Sequence, residues 1–236
     1  MKIFKSTINN EAFRKNSTNN VISKVFSKLF IGLLVTAIVS FLTYATGLYS
    51  LILSSSLFYI GLGIGEIALV VYLSAKIMHM DKKTANMWYY AYAALNGVTM
   101  SYIFAMFNIG TIFLAFACSA LMFGVTALYG YVTKKNLDTI GSIGMMLLLG
   151  IIITTILNIL IFKSTGLDLL LLYLGLFVFA GITAYDMQKI KEISNVAYSL
   201  DSNEVNSVAT IGALNIYLDF INIFIRLLTL CARGDD

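Results

Sequence analysis

Four ionisable side chains fall in stretches apolar enough to lie in lipid: Glu66, Asp186, Asp219 and Arg226. A charge in hydrocarbon is costly, and such residues pair, line an aqueous path or carry a function. Asn215, Asp219, Asn222 and Arg226 are spaced four, three and four apart. At helical periodicity this puts all four within a narrow arc of one face, while Ile216, Phe220, Ile223 and Phe224 take the others. A polar stripe on an apolar helix faces protein or water, so this helix is expected to be central, with the other spans around it. A seam that only glues helices together is the plainer account, and asparagines alone would satisfy it. The acid at its middle tilts the reading toward function.

Asp186 comes late in the preceding apolar run, with Lys189 and Lys191 marking the interface just beyond it. Two readings stand: an end-of-helix acid that reaches water, or a partner for Asp219 on the next helix. Asp219 lies several residues deeper, so a meeting requires tilt or a late start of the last span. If the two meet, the chemistry follows. Two carboxylates in one dry site do not both ionise cheaply, and they share a proton. Stripped of it, they repel each other or attract a cation, and calcium, which takes several carboxylate and carbonyl oxygens, suits such a transient site.

Glu66 follows Gly61 and Gly65, a small-residue pair that permits close helix approach. It either finds a buried donor, with Arg226 a candidate, or lines a cavity, or is protonated and silent. Asn96, Gly97, Thr99 and Ser101 can serve helix packing, the favoured account, or line a pathway.

The elements that must position these groups are membrane helices. Hydrophobic residues make up 59% of the 236 residues and charged ones 12%, about half the charged share of a soluble domain. Seven runs approach the roughly 20 residues that a bilayer crossing needs: Phe30–Leu48, Leu51–Ala75, Ala85–Phe107, Ile109–Val132, Ile140–Phe162, Leu167–Met187 and Val208–Leu230. They show no period-2 alternation, which excludes a barrel. The expected fold is all-α, with seven transmembrane helices over residues 29–232 and the last wrapped by the other six. The break near Gly47–Ser50 is marked by no charge. The chain has no proline, so any bend must come from glycine or inserted polar groups.

Lysine and arginine set the orientation. Lys2, Lys5, Arg14, Lys15, Lys24 and Lys28 precede the first span, and alternate loops add Lys76, Lys82, Lys83, Lys134, Lys135, Lys189 and Lys191. The other side holds Lys163, Arg226 and Arg233, so 13 of the 16 basic residues fall on one side. That side is cytoplasmic. The N-terminus is expected inside and the C-terminus outside, which an odd number of spans requires. Residues 1–28 read as a flexible, basic cytoplasmic tail. Orientation accounts for the basic excess, so no nucleic-acid partner is expected. No nucleophile–base set or metal cluster is visible: no enzyme and no cofactor are expected, with His79 alone in its loop and Cys118 and Cys231 unrelated in position.

Four segments carry a resemblance. They are Phe179–Asp186 with Gln188, Lys189 and Ile190; Gly212–Asn222; Ala93–Phe104; and Leu128–Lys135. Together they resemble the Bax inhibitor-1 family, in its bacterial YccA-like branch, over roughly residues 20–230. The resemblance implies seven helices with the last one central. It also implies a pH-sensitive calcium leak gated by an aspartate pair at the positions of Asp186 and Asp219. Some relatives engage this pair with an arginine near the cytoplasmic end of the second span, where this chain offers Lys76, a point charge without the planar guanidinium fork. The loop Ile193–Val205 is long and polar, as in that branch. The expectation is an inner-membrane protein that passes calcium passively, its partners being lipid, calcium ions and protons. The rival is a non-conducting regulator that binds membrane proteases or cell-death and stress components through its tail and that loop.

Overall fold

The computed structural model describes residues 2–234. Among them every regular element is helical: α1 (Lys2–Ala45), α2 (Leu48–Ser54), α3 (Ser56–Lys76), α4 (Lys82–Thr99), α5 (Ile103–Met106), α6 (Ile109–Val132), α7 (Asp138–Leu157), α8 (Thr165–Val196) and α9 (Ser202–Gly234). The chain divides into two compact units. One comprises residues 1–108 and 190–217, the other residues 109–189 and 218–236.

Six helices are long and apolar enough to cross a membrane, within α1, α3, α6, α7, α8 and α9. The protein is thus a multi-pass membrane protein. The third expected span is present as α4, a 3-10 turn Met100–Tyr102 and α5, but it falls outside that set. The reason lies in its side chains: Asn86, Asn96 and Thr99 interrupt the apolar surface. The turn forms where hydroxyls compete with the helical ladder, with Thr99 donating to the carbonyl of Asn96 (2.9 Å) and Ser101 to that of Val98 (2.7 Å).

In the first unit, α1 packs along α4. Two glycines make this possible: a Cβ at Gly97 would lie 2.7 Å from the Thr36 carbonyl oxygen, and one at Gly32 would strike the Tyr89 hydroxyl. Tyr89, Tyr92 and Tyr217 meet edge to face beside them, at 6.2 and 6.0 Å. The helix α1 is continuous through the residues expected as a tail, and Val21, Val25 and Lys28 are buried. The tail boundary at residue 28 therefore falls too late; the side chains before Asn20 lie outside the described residues. Lys28 donates from its ammonium to Asn86, and its carbonyl accepts from the Tyr89 hydroxyl (3.1 Å).

The unmarked break between the first two spans is a real one. Gly47 turns the chain at φ 75°, a left-handed conformation that costs glycine little. Ser55 then begins α3, accepting from the amide of Phe58. The close helix approach that Gly61 and Gly65 permit is not used among the described residues: a Cβ at either would meet nothing within 4 Å. Asp81 caps α4, accepting from the amides of Lys83 (3.0 Å) and Thr84 (3.2 Å). Hydrogen bonds from the Thr84 side chain and these amides hold its carboxyl below the usual carboxylate range.

The expected loop Ile193–Val205 is shorter than read, because α8 runs to Val196 and α9 starts at Ser202. A reciprocal cap explains the early start. Asp201 accepts from the amides of Asn203 (2.7 Å) and Glu204 (2.9 Å), while Glu204 accepts from the amide of Asp201 (2.9 Å). The second unit has its apolar centre between α7 and α8, where Ile151, Leu171, Val178 and Ile182 pack together.

Candidate functional site

The second unit builds its polar centre by gripping a short stretch of α8. Three glycines of α6 and α7 press on a single turn of it. A Cβ at Gly130 would collide with the Ala184 carbonyl oxygen. At Gly141 it would lie 2.6 Å from the Tyr185 ring, and at Gly144 2.9 Å from Ile182. Gln188 then staples the connection between α6 and α7, donating to the carbonyl of Lys135 (2.8 Å) and accepting from the amide of Leu137 (2.9 Å). Asp186 sits inside this grip, half-buried, with its rotation about the α8 axis fixed on both sides.

Asp219 is held from the other direction. Phe220, next to it on α9, packs edge-on against Phe116 (5.6 Å) and Phe123 (5.7 Å) of α6. The Asp219 side chain is 3% exposed, and its Oδ2 is buried with no hydrogen-bond partner. It faces the hydroxyl of Thr183 and lies within Coulombic reach of Asp186. Thr183 precedes Asp186 by one helical turn, on the same face of α8, and anchors itself by donating to the carbonyl of Phe179 (2.7 Å). The structure therefore brings Asp186 and Asp219 together, with Thr183 as a third group.

No cation shares this site through an ion pair among the described residues. The lysine nearest in sequence, Lys189, is bound elsewhere: its ammonium is 2.7 Å from Asp138 and 5.6 Å from the Tyr185 ring centroid. Two carboxylates close to each other away from bulk water do not both ionise cheaply. Deprotonation leaves either repulsion or a vacancy for a cation. Among the described residues, no three His, Cys, Asp or Glu gather as a metal cluster. The pair with one hydroxyl falls short of the six to eight oxygens of a resident calcium site.

The remaining stripe residues do other work. Asn215 is half-buried one turn before Asp219. Asn222 donates to the carbonyl of Leu218 (2.9 Å), and Arg226 donates to both the carbonyl (3.1 Å) and the side-chain oxygen (3.2 Å) of Asn222. The Arg226 guanidinium lies 4.6 Å from the Phe179 ring centroid. Below Asp219 the stripe is thus a ladder along its own helix. Glu66 is not matched to Arg226. In the first unit it accepts from the hydroxyl of Thr99 and bonds the side chain of Asn96. Asn96 accepts in turn from the Tyr217 hydroxyl (3.1 Å), which is 2.7 Å from that of Thr36. The polar residues of the third run therefore form a hydrogen-bonded network around Glu66. Lys76 ends α3 with its side chain exposed.

Thr183 and Gln188 entered the sequence reading only within the segment that carries the resemblance, with no role of their own. The signal for Thr183 was its i, i+3 spacing to Asp186. Nothing local marks Gln188, whose partners are 53 and 51 positions away.

Comparison with known proteins adds a second line of observation. The family described as "Inhibitor of apoptosis-promoting Bax1" matches residues 18–236. An inner membrane protein of Escherichia coli K12, YbhL, is 37% identical over 207 residues, covering 87% of this chain and 88% of that protein. The uncharacterized protein YrjE of Lactococcus lactis is 35% identical, covering 92% of each chain. An uncharacterized protein of Rickettsia prowazekii is 29% identical across 100% of this chain and 98% of its own.

Proposed function

The chain belongs to the Bax inhibitor-1 family, and we propose that it acts there as a passive calcium leak of the inner membrane, gated by a proton that Asp186 and Asp219 share. The observation that carries this reading is the Asp219 carboxylate, buried with one oxygen unpartnered and within Coulombic reach of Asp186. In the protonated state one hydrogen bond between the carboxyls ties α8 to α9. Loss of the proton replaces that tie with repulsion, and the gap between the two acids becomes attractive to a divalent cation. The gripped stretch of α8 is the fixed jaw of the gate, and α9 is the moving one. Asn222 and Arg226 continue the polar line along α9 beyond the gate.

The topology follows the charge bias. The segment Lys82–Met106 is taken as the seventh crossing, which places the N-terminus in the cytoplasm and the C-terminus outside. The central position of α9 is supported by its burial: 67% of its apolar window is buried, against 6–39% in the other five candidate spans. YbhL, an inner membrane protein by name, supports the location.

Purified protein in liposomes with an internal calcium dye tests the reading. The leak hypothesis expects calcium entry whose rate changes with pH, and Asp219→Asn should abolish that change, since an amide cannot share the proton. An absence of flux at every pH would remove the channel and leave a regulator that binds membrane proteins.

A further inference from the structure

A separate cavity opens at the other end of the second unit, about two helical turns beyond Asp219 along α9. Its volume is about 320 Å³, and its lining includes Arg226, Arg233, Asp168, Thr155, Thr229 and the apolar Ile151, with leucines of α8 completing the wall. Arg226 and Arg233 are seven residues apart, on one face of α9. Neither is in an ion pair among the described residues. Arg226 spends only one nitrogen, Nη1, on Asn222. A guanidinium carries five N–H donors, so its Nε and Nη2 are uncommitted. Its guanidinium carbon lies over the Phe179 ring (4.6 Å from the centroid), and the absence of a side chain at Gly175 leaves room for its Nε, so the group is held rather than swinging.

Asp168 is the one acid of the cavity. It is in no ion pair with either arginine among the described residues; its Oδ1 accepts from the side-chain amide of Asn158 (2.6 Å), and two guanidiniums against one carboxylate leave the cavity net positive. That asparagine also closes the α7–α8 connection, donating to the carbonyl of Ser164 (3.0 Å) and accepting from the Ser164 amide (3.0 Å). The first turn of α8 also suits a carboxylate, since the helix dipole is positive there. The cavity therefore has one acid held by Asn158, two guanidiniums with donors to spare, two threonine hydroxyls and an apolar flank.

We propose that this cavity binds a phosphate group, and that the phosphate is carried by an anionic phospholipid of the adjoining leaflet. Paired guanidiniums match phosphate oxygens in geometry as well as charge. The apolar flank gives the glycerol and first acyl carbons a surface that a free ion would not use. The cavity shares Arg226 with the polar line beyond the aspartate gate, but lipid retention is read without calcium flux, so failure of one proposal is distinguishable from failure of the other.

The test uses the full protein in detergent, titrated with short-chain phosphatidylglycerol, short-chain phosphatidylcholine and inorganic phosphate, with bound lipid counted by native mass spectrometry. Phosphatidylglycerol should be retained in preference to phosphatidylcholine, and Arg233→Gln should weaken it about tenfold. Arg226→Lys, which keeps the charge and loses the fork, should weaken it as well. Arg233 is exposed, so its variant folds even if substitutions at Arg226 do not. Displacement of the lipid by inorganic phosphate, with the same dependence on Arg233, would keep the phosphate site and assign it to a soluble ion. Equal retention of the two lipids, or indifference to Arg233→Gln, would overturn the proposal.

Discussion

At the scale of single residues, Asp186 and Asp219 stood out because both acids are out of place in hydrocarbon, and a meeting of the two was one of two readings the sequence left open. Their further company was not legible. Thr183 is an ordinary helix residue until the fold turns it toward Asp219. Its hydroxyl gives it a testable role: Thr183→Ser should keep the pH response of calcium flux, and Thr183→Val should alter it without lowering the melting temperature by more than a few degrees. A melting loss shared by both variants would make Thr183 a packing residue only. The stripe on α9 was likewise readable as a face, but its direction was not. Sequence spacing shows that Arg226 and Asn222 are neighbours; it does not show that they bond to each other rather than to a distant carboxylate. The same limit explains Glu66. Its partners Thr99 and Asn96 were visible as hydrogen-bonding groups, yet which helix they would meet depends on packing.

At the scale of elements, the glycines divide by what lies opposite them. The pair Gly61 and Gly65 has the spacing of a packing motif and faces open space, whereas Gly130, Gly141 and Gly144 carry the contacts. Spacing alone does not say which face of a helix is covered. Two substitutions on α6 separate the cases. Gly130→Ala drives a methyl into backbone at Ala184 and should cost about 1–3 kcal/mol. Gly124→Ala meets nothing within 4 Å and should be neutral or stabilising by up to about 1 kcal/mol, through helix propensity. Thermal unfolding in detergent measures both, and equal effects would show that the α6–α8 contact is looser than described. Element boundaries were the least legible part. The apolar runs of α8 and α9 end at the membrane, but the helices continue past it, because the Asp201–Glu204 cap satisfies the exposed amides of α9.

For the whole molecule, composition and run length were enough for an all-helical membrane protein, since long apolar segments without alternation leave no other solution. The number of crossings was harder. The segment Lys82–Met106 has the length of a span and the polarity of a buried helix, because its Tyr89 and Asn96 turn inward. Tags at the two ends settle it: protease protection in sealed vesicles should find them on opposite sides, and finding them on one side would make that segment a non-crossing helix. Burial also predicts how the chain tolerates change. Ile64 and Ile67 of α3 are 63% and 65% exposed, whereas Ile216 and Ile223 of α9 are fully buried. Alanine at either of the latter should cost about 2–5 kcal/mol, and at either of the former well under half as much.

The contact between Lys28 and Asn86 bears on depth. An ammonium that must keep an oxygen within reach cannot sink into oil, so this link works as a mooring for the first crossing. A version shortened to begin at Phe30 would keep the whole apolar run yet lose that line. It would be free to ride higher or lower, and Thr36 would drift out of step with the tyrosine it meets on the last helix.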